Sequence, residues 1–555
     1  MLECSTADAP SYRLQGAEPM PTLLNELLAD TIQRSLHLFV PELIVCATIV
    51  VMLLVRVFGL HRWLPARWVT VFGAMVAMAW ALYQFVGLRQ ETLQPAVVFT
   101  GMLIVDQFTV FFRVFLLLAL VLVTALSVLT EVPDDDDGAD FYTLLLGSTL
   151  GMMLMAASNH LLMLFLSVEM TSVPSYVMVG FLKGRRRSSE AALKYVVYGA
   201  GAAGIMLYGV SLLAGLTGTA NLHELAVRIG TLLSAGHVSL GDPILQTALL
   251  GVLFVFVGLA FKLSVVPFHF WCPDAFEGAA AEVAGFLSVA SKAGAFALLT
   301  RFVLAILGDY QPVEVRHVYL VVGIGVGVIA AVTATFGNLA AYAQTNMKRL
   351  LAYSTIAHAG YMLMAVAALI VVLTGTAAPT FDVFAEAQRA VQGLLYYLSV
   401  YLFMNLGAFA VVAMIRNRLL SEDIDSYQGL AREMPVLCVV MAVCLFSLVG
   451  VPPLGGFVGK FMIFASLFQA GFVHWSMWAV LVIGGLNTLF SLFYYVRVLK
   501  VMFLGELPEQ RPAAAMAASG SSAFAVLLAV PVLLLGVFVH RLSAAANEVA
   551  GTLFR

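Results

Sequence analysis

Charged residues are scarce in this sequence. Only 11% of the 555 residues are Asp, Glu, Lys or Arg, whereas 61% are hydrophobic, and the net charge is −3. A soluble globular domain has about 25% charged and about 45–50% apolar residues, so this chain has too few charges to cover a water-exposed surface. The composition therefore excludes a soluble enzyme, a nucleic-acid-binding protein and a disordered chain.

Cysteine is also rare, and its spacing argues against the common metal and redox sites. The five cysteines include no CxxC pair, and Cys438 and Cys444 lie six residues apart in an apolar stretch. This spacing favours core packing over metal ligation. The sequence has no GxxxxGK[ST] motif and no GxGxxG turn between a strand and a helix, so we expect no nucleotide or redox cofactor in this chain.

Long apolar runs are abundant. A spanning helix needs about 20 mostly apolar residues, whereas a spanning β-barrel would show alternating hydrophobicity. We therefore predict an all-α polytopic membrane protein with about fourteen spans, at residues 38–60, 68–88, 107–130, 141–157, 160–182, 191–215, 246–268, 283–306, 317–340, 347–374, 390–416, 434–468, 475–503 and 521–540. The turn-forming residues Gly, Pro, Asp and Ser between the apolar runs predict loops at 131–140, 218–244, 375–389, 416–433 and 504–520.

Lys and Arg are unevenly distributed between the two sets of loops. With the N-terminus placed outside, the inner loops include KGRRR at 183–187 and carry more basic residues than the outer loops. The positive-inside rule then predicts that both termini lie outside. The N-terminal segment lacks the basic start and apolar core of a signal peptide, so we expect membrane insertion to depend on the spans themselves.

Lysine is rare and lies in unusual places. Four of the seven lysines, Lys194, Lys262, Lys292 and Lys460, lie inside predicted spans. An isolated charge at the bilayer centre costs at least about 2.5–3.5 kcal/mol, so these residues indicate a hydrated or ion-paired interior. A purely structural salt bridge is the alternative for each of them.

Several other charged residues share this environment. Glu169 lies in the middle of the fifth span, whereas Glu42, Asp106 and Glu282 lie near span ends, where a side chain can snorkel to the interface. Arg113 follows Asp106 by seven residues, which is two turns along one helix face. This spacing predicts a structural ion pair between Arg113 and Asp106.

Prolines interrupt two of the predicted spans. Pro267 interrupts the seventh span, and Pro452 and Pro453, with the glycines that follow them, interrupt the twelfth. Irregular backbone at membrane depth is tolerated where it lines a cavity. Two broken spans, five apart in order and each near a lysine, predict two inverted five-helix repeats. The predicted parts are a polar extension, peripheral helices, two repeats and a C-terminal part, at 1–37, 38–140, 141–306, 307–503 and 504–555.

Two histidines lie in or beside these spans. His269 follows Pro267, and His358 lies one turn after Ser354 in the tenth span. Such a histidine can simply bond to a neighbouring helix, but it can also act in a proton relay. Buried lysines near carboxylates can bind and release protons. The chain shows no site that would supply the energy for transport, so we expect a partner to drive it.

Six segments of the sequence resemble the antiporter-like membrane subunits of respiratory complex I. The resemblance covers about residues 38–540, and EAALKYVVYGA and the lysine in GKF point to the subunit N branch of that family. The matching segments are PELIV (41–45), EAALKYVVYGAGAAGIMLYG (190–209), GLAFKLSVVPFHFWCPDAFEGA (258–279), FLSVASKAGAFA (286–297), QTNMKRLLAYSTIAHAGYMLM (344–364) and GVPPLGGFVGKF (450–461).

The resemblance implies a role for each matching charged residue. Glu169 and Lys262 resemble the family's ion pair of the fifth and seventh spans, and Lys194 matches the nearby sixth-span lysine. Lys292 resembles the central relay lysine. Lys460 resembles the twelfth-span group that exchanges protons with the outer side.

The resemblance also implies where the chain works and with what. His269 and His358 fall in matching segments and are candidate members of the same relay. In the family, quinone reduction in a distant arm drives pumping, and NAD, FMN, iron–sulfur clusters and quinone bind to partner subunits. The implied partners are other complex I membrane subunits, including a neighbouring antiporter-like subunit, and the lipid bilayer. The implied location is the bacterial inner membrane, and no nucleic acid is expected.

Some features depart from the usual family pattern, and other functions stay open. The extension 1–37 and the acidic loop 131–140 are unusual, and the chain ends soon after the last predicted span, unlike the largest antiporter-like subunit with its long lateral helix. The alternative function is a subunit of a multi-subunit cation/proton antiporter or of a membrane-bound hydrogenase. A passive scaffold is the third hypothesis, and four lysines inside spans argue against it.

Overall fold

Eighteen helices and one short hairpin make up the part of the chain described by the computed structural model, namely residues 28, 30–60, 63–133, 137–182, 184–234, 241–307, 316–375, 382–506 and 519–554. The helices are α1 (Val40–Val57), α2 (Ala66–Arg89), α3 (Gln107–Thr130), α4 (Gly138–Ala157), α5 (Leu161–Val179), α6 (Arg186–Thr217), α7 (Leu222–Ser234), α8 (Pro243–Leu263), α9 (Trp271–Gly278), α10 (Ala281–Leu307), α11 (Arg316–Ala341), α12 (Met347–Leu373), α13 (Val383–Leu419), α14 (Pro435–Val449), α15 (Gly455–Val473), α16 (Ser476–Leu504), α17 (Ser519–Val537) and α18 (Val539–Gly551). A short helical segment at 30–38 precedes α1.

Fourteen of these helices in the described ranges are long and apolar enough to cross a membrane, which confirms the all-α polytopic fold. They are α1–α6, α8, α10–α13 and α15–α17. The predicted twelfth span, 434–468, is divided into α14 and α15 by residues 450–454. Short 3₁₀ turns within Ile424–Arg432 meet α14 at an angle of 118°, so α14 belongs to a sharply bent segment.

Three elements lie where the sequence predicted loops or a tail. Helix α7 occupies part of the predicted loop 218–244, and α18 follows the last span. Strands β1 (Ala96–Val98) and β2 (Leu103–Val105) form an antiparallel hairpin before α3. These elements are short, so hydropathy over a membrane-length window does not detect them. Within the predicted acidic loop, Asp134–Asp136 lie outside the described residues.

Helices α12, α13 and α10 form the centre of the bundle. In their most apolar stretches 94%, 89% and 83% of the residues are buried, against 33% for α1 and α2 and 28% for α17. The outer helices instead expose large apolar side chains such as Leu54, Phe72 and Leu527. An exposed apolar belt of this kind suits lipid or neighbouring membrane helices. A charged group in the middle of these helices, such as Lys292, is therefore enclosed by protein.

Candidate functional site

The end of α8 positions the first buried lysine. Pro267 cannot donate a backbone hydrogen bond, and the helix stops at Leu263, where Ser264 has a left-handed φ of 60°. The indole Nε1 of Trp271 donates to the Phe261 carbonyl at 3.0 Å, and the same carbonyl accepts from the Ser264 N–H at 3.0 Å. The predicted break in the seventh span is therefore confirmed, and it leaves a lysine next to the last residue of a buried helix end.

Lys262 is 1% exposed and points toward α5. Its Nζ donates to the Ser172 hydroxyl at 3.1 Å. Glu169 lies three residues before Ser172 on the same helix and is partly buried. Its carboxylate attracts Lys262, but the two do not form a salt bridge in the described part of the chain. Ser172 is thus the direct partner of the lysine, and Glu169 acts on it through its charge.

Lys292 lies in the middle of α10 immediately after an irregular turn. Residues Leu287–Ser291 adopt a π-helical conformation, which often occurs at functional sites. Lys292 is 1% exposed, and its Nζ donates to the Thr355 carbonyl of α12 at 3.0 Å. The π turn could not be predicted from the sequence, because no residue type marks it.

Lys460 closes the break between α14 and α15. Its Nζ donates to the carbonyls of Leu448 and Val449, the last two residues of α14, at 2.9 Å each. A cation at this position also complements the negative end of the helix dipole. The same Nζ lies 4.3 Å from the centre of the Tyr361 ring, which faces it as a cation–π partner. The prolines and glycines at 452–456 therefore create the carbonyl site that holds this lysine.

A histidine and several tyrosines occupy the space between Lys292 and Lys460. His358 Nδ1 lies 2.5 Å from the Tyr397 hydroxyl, and its Nε2 lies 3.4 Å from the Tyr495 hydroxyl. Ser354 also bonds to Tyr495. The tyrosine cluster comprises Tyr361, Tyr397, Tyr401, Tyr494 and Tyr495, all of which are at most 1% exposed.

Helix α12 connects the two lysines. Thr355, His358 and Tyr361 recur at three-residue intervals, so they lie along one side of the helix. The first accepts from Lys292, the second joins the tyrosine cluster and the third faces Lys460. His358 was predicted from the sequence as a candidate relay residue, but the tyrosines were not. The sequence does contain a sign of this cluster, namely the tyrosine pairs at 396–397 and 494–495 within apolar helices. Because a buried tyrosine hydroxyl usually needs a hydrogen-bond partner, such pairs indicate a polar cluster in the interior.

Lys194 lies in a different environment from the other three lysines. Its side chain is 42% exposed and forms salt bridges with Asp274 (2.8 Å) and Glu190 (2.9 Å). Arg349 binds Asp274 (2.6 Å) and Glu277 (2.8 Å) in the same cluster, around a cavity of about 240 Å³. Burial acts to raise the pKa of the Asp274 carboxyl, but the bonds and charges of Lys194 and Arg349 outweigh it and lower that pKa. Lys194 is thus an exposed, ion-paired residue.

His269 also lies apart from the buried lysines. It is 3% exposed, and its ring packs edge-on against Phe336, with 4.4 Å between the ring centres. Its Nδ1 is among the buried atoms without a hydrogen-bond partner in the described residues. The contacts therefore show a packed histidine next to the break of α8.

The predicted pairing of Arg113 with Asp106 is wrong. Arg113 Nε bonds to Glu42 at 2.6 Å, and its Nη1 bonds to Gln84 at 2.9 Å, so it connects α3 to α1 and α2. Asp106 instead pairs with Arg301 of α10 at 2.6 Å. Helix periodicity predicted a pair between two residues of α3. In the structure, each of these two residues instead pairs with a residue of another helix.

Snorkelling of the three acids near span ends is also contradicted. Glu42 and Glu282 are 0% exposed and Asp106 is 6% exposed, so all three are enclosed by protein. Lys348, the second residue of the tenth predicted span, is likewise only 2% exposed. Its Nζ bonds to the Ala279 carbonyl (2.6 Å) and to Glu422 (2.9 Å). Position near a span end therefore did not predict exposure.

No group of three or more His, Cys, Asp or Glu residues that could hold a metal ion occurs in the described ranges. Cys438 and Cys444 are buried free thiols in α14. The site thus consists of proton-carrying side chains: three buried lysines with hydroxyl or carbonyl acceptors, one histidine and the tyrosine cluster. Such an arrangement can bind, hold and pass protons.

Comparisons with known proteins agree with this chemistry. Residues 158–491 match the family described as NADH:quinone oxidoreductase/Mrp antiporter, transmembrane. NADH-quinone oxidoreductase subunit N of Anaeromyxobacter sp. is 40% identical over 86% of this chain and 89% of its own length. A chain of respiratory complex I from Thermus thermophilus is 29% identical with a TM-score of 0.69, and the match covers 91% of this chain and 98% of that one. A chain of the Mrp complex from Dietzia sp. has the same fold, with a TM-score of 0.75, 20% identity and coverage of 93% and 97%. The chain therefore belongs to the NADH:quinone oxidoreductase/Mrp antiporter family of membrane proteins, and its relatives include subunit N of NADH-quinone oxidoreductase.

Proposed function

We propose that this chain is a proton-translocating membrane subunit of an NADH-quinone oxidoreductase, and that Lys262, Lys292 and Lys460 carry the protons. The observation that supports this most is the chemical type of the hydrogen-bond acceptors of these three lysines. Each lysine is at least 97% buried, and each donates to a hydroxyl or a carbonyl. Since a buried charge without a carboxylate contact is costly, the neutral amine can compete with the ammonium form. Each site can therefore gain and lose a proton.

The proposed route runs along the central helices. The carboxylate of Glu169 favours the charged form of Lys262. Lys194 and its acidic partners form the exposed cluster, and they modulate the Lys262 end of the route. Lys292 passes protons toward His358 and the tyrosine cluster, which reaches the Tyr361 ring beneath Lys460. In the described part of the chain the ring of His269 contacts Phe270 and Phe336 rather than the lysine row, so we assign it a packing role at the break of α8.

The energy for transport comes from partner subunits. The names of the relatives associate them with NADH and quinone chemistry, and the site described above has only proton-carrying groups. We propose that NAD, FMN, iron–sulfur clusters and quinone bind elsewhere in the complex, and that a neighbouring antiporter-like subunit contacts this one within the bilayer. The bacterial sources of the relatives support an inner-membrane location. The excess of basic residues on one set of loops supports an orientation with both termini outside.

We further propose the two-repeat organisation inferred from the sequence. Residues 141–306 and 307–503 would form the inverted repeats, with 38–140 and 504–555 at the periphery. In support, each proposed repeat has one interrupted helix, ending at Leu263 or at Val449, and a buried lysine at that interruption. Half-helix ends at membrane depth are typical of transport sites built from such repeats.

A transport assay with the assembled complex tests the proposal. Lys292→Ala and Lys460→Ala should assemble but lose proton uptake into vesicles and slow quinone reduction, because a relay position is missing. Glu169→Gln should slow both activities. Lys500→Ala, which removes an exposed lysine at the end of α16, is the matched control. Wild-type pumping by a fully assembled Lys292→Ala or Lys460→Ala complex would contradict the relay.

A subunit of a cation/proton antiporter is the second candidate, because the Mrp chain has the same fold. The higher identity to NADH-quinone oxidoreductase subunits favours the first function. Purification of the chain with its native partners separates the two. Redox subunits that carry flavin and iron–sulfur clusters are expected, and a complex made only of antiporter-like subunits would overturn the assignment.

A further inference from the structure

One fully buried carboxylate has no part in the route described above. Glu282 lies in the first turn of α10 and is 0% exposed. Neither of its carboxylate oxygens has a hydrogen bond of good geometry among the described residues, and the Thr130 hydroxyl is the polar side chain nearest to forming one. An unpaired buried carboxylate is costly, and a polar group left in this condition calls for a role or for water.

Charged groups from two other helices and a loop surround Glu282. Lys348 of α12 and Arg416 of α13 act on it electrostatically, and Thr130 lies beside it at the end of α3. Lys348 and Arg416 both contact Glu422, at 2.9 and 3.5 Å. Glu282 is therefore the innermost member of a charged group that contains two cations and two carboxylates.

The outer members of this group reach a cavity. Glu422, whose side chain is 16% exposed, and Arg416 line an open cavity of about 500 Å³ together with Arg185, Asn346, Asn417 and Asp423. Lys348 connects Glu422 at the cavity to the interior, and it donates to the Ala279 carbonyl, three residues before Glu282. Bonded polar groups thus extend from the cavity through Glu422 to Lys348, and the charge of Lys348 acts on Glu282.

Further polar groups lie between Glu282 and Lys292 on the same helix. Lys292 follows Glu282 by ten positions, which corresponds to a distance of about 15 Å along the helix axis. Ser288 lies between them, and its hydroxyl accepts from Asn405 Nδ2 at 2.6 Å. The Oδ1 atom of Asn405 is buried and has no partner in the described ranges. Unpaired acceptors at Glu282 and Asn405 are the positions where buried water is expected.

From this arrangement we propose that Glu282 is the proton-uptake residue of Lys292, supplied from the cavity through Glu422 and Lys348. The inference rests on the proposed function of Lys292. In each cycle the Glu282 carboxyl O–H gives its proton to water held near Ser288 and Asn405, and that water protonates the neutral Lys292 amine. The Glu282 carboxylate then takes a proton from the cavity side, so no electron moves and no other bond is broken.

The test uses the complete complex in vesicles, with Glu282→Gln and Lys292→Ala compared at external pH values from about 6 to about 9. Glu282→Gln should pump like wild type at the acidic end. Its rate should fall up to about tenfold for each unit of rise in pH, because protons then reach Lys292 directly from solution. Glu224→Gln, which changes an exposed carboxylate of α7, should follow wild type throughout.

The outcomes separate the two proposals. Wild-type pumping by Glu282→Gln at every pH, or a loss of the same size at every pH, would overturn the uptake role, since a merely structural carboxylate gives no pH-dependent rescue. Impaired Lys292→Ala with unaffected Glu282→Gln would overturn this inference alone. Normal Lys292→Ala would remove the relay itself. If Glu282→Gln does not assemble, Ser288→Ala should show the same alkaline loss, and a pH-independent rate for it would refute the route.

Discussion

The glycine at the start of α15 offers a direct test of how the broken helix holds its lysine. A Cβ atom at Gly456 would lie 2.0 Å from the Ser447 carbonyl oxygen of α14. The Gly456 N–H also donates to the Ser447 hydroxyl at 3.1 Å. Since non-bonded carbon contacts lie near 3.5 Å, Gly456→Ala must move the two helices apart by about 1.5 Å.

That movement should disconnect Lys460. Its two acceptors, Leu448 and Val449, directly follow Ser447, and Lys460 lies one turn after Gly456. Separation by about 1.5 Å would lengthen bonds of 2.9 Å to about 4 Å, which is beyond hydrogen-bond reach. Overpacking at such a site costs about 1–3 kcal/mol, so the subunit should still fold.

The assay is proton uptake by vesicles that contain the assembled complex, with quinone reduction measured in parallel. Gly456→Ala should lose pumping to the extent that Lys460→Ala does. The control is Gly485→Ala in α16, where an added Cβ meets nothing within 4 Å, and it should behave like wild type. If Gly456→Ala pumps as well as Gly485→Ala, the α14 carbonyls do not position Lys460.

Two further predictions concern stability and its dependence on pH. Arg113→Met leaves Glu42 buried without its partner, so the free energy of unfolding should fall by about 3–5 kcal/mol. In thermal unfolding, the double variant that also carries Glu42→Gln should recover part of this loss. An Arg113→Met complex as stable as wild type would refute the pairing. The pKa of Asp274 is lowered in the folded protein, so its pairing with Lys194 and Arg349 stabilises the fold. This stability is fully present above the unfolded pKa of about 3.9, and it is lost as the pH falls through the folded pKa. Asp274→Asn should therefore lower the unfolding temperature at neutral pH, with a difference that shrinks in acid, whereas an equal difference at every pH would contradict this origin.

Much of the fold could be predicted because lipid imposes simple rules on sequence. Apolar runs of membrane length gave the spans, and prolines gave both interruptions, at Pro267 and at 452–453. The burial of Lys262, Lys292 and Lys460 could also be predicted, since each lies inside a predicted apolar span. These features depend on local composition, which a single sequence contains in full.

Features that depend on contacts between distant helices could not be predicted. The partner of Arg113 lies 71 positions away, so spacing along α3 pointed to the wrong acid. Lys348 is near the start of α12, and only the packing of Glu422 and Ala279 around it makes it a buried residue. The π turn before Lys292 leaves no mark in residue type, and the tyrosine cluster is assembled from three helices.

Within the part of the chain that the structure describes, the three buried lysines of the proposed route have no carboxylate contacts, and this bears on ion selectivity. A sodium ion in this row would need several oxygen ligands, as hard cations do. Here the hydroxyl of Ser172 and the carbonyls of Thr355, Leu448 and Val449 each face an ammonium group. An alkali-metal ion would have to displace a tethered cation and then remain beside it, whereas a proton only changes that cation to an amine. If the lysine row is the proton route as proposed, it would therefore discriminate against metal ions, because the lysine amines occupy the positions where such ions would bind.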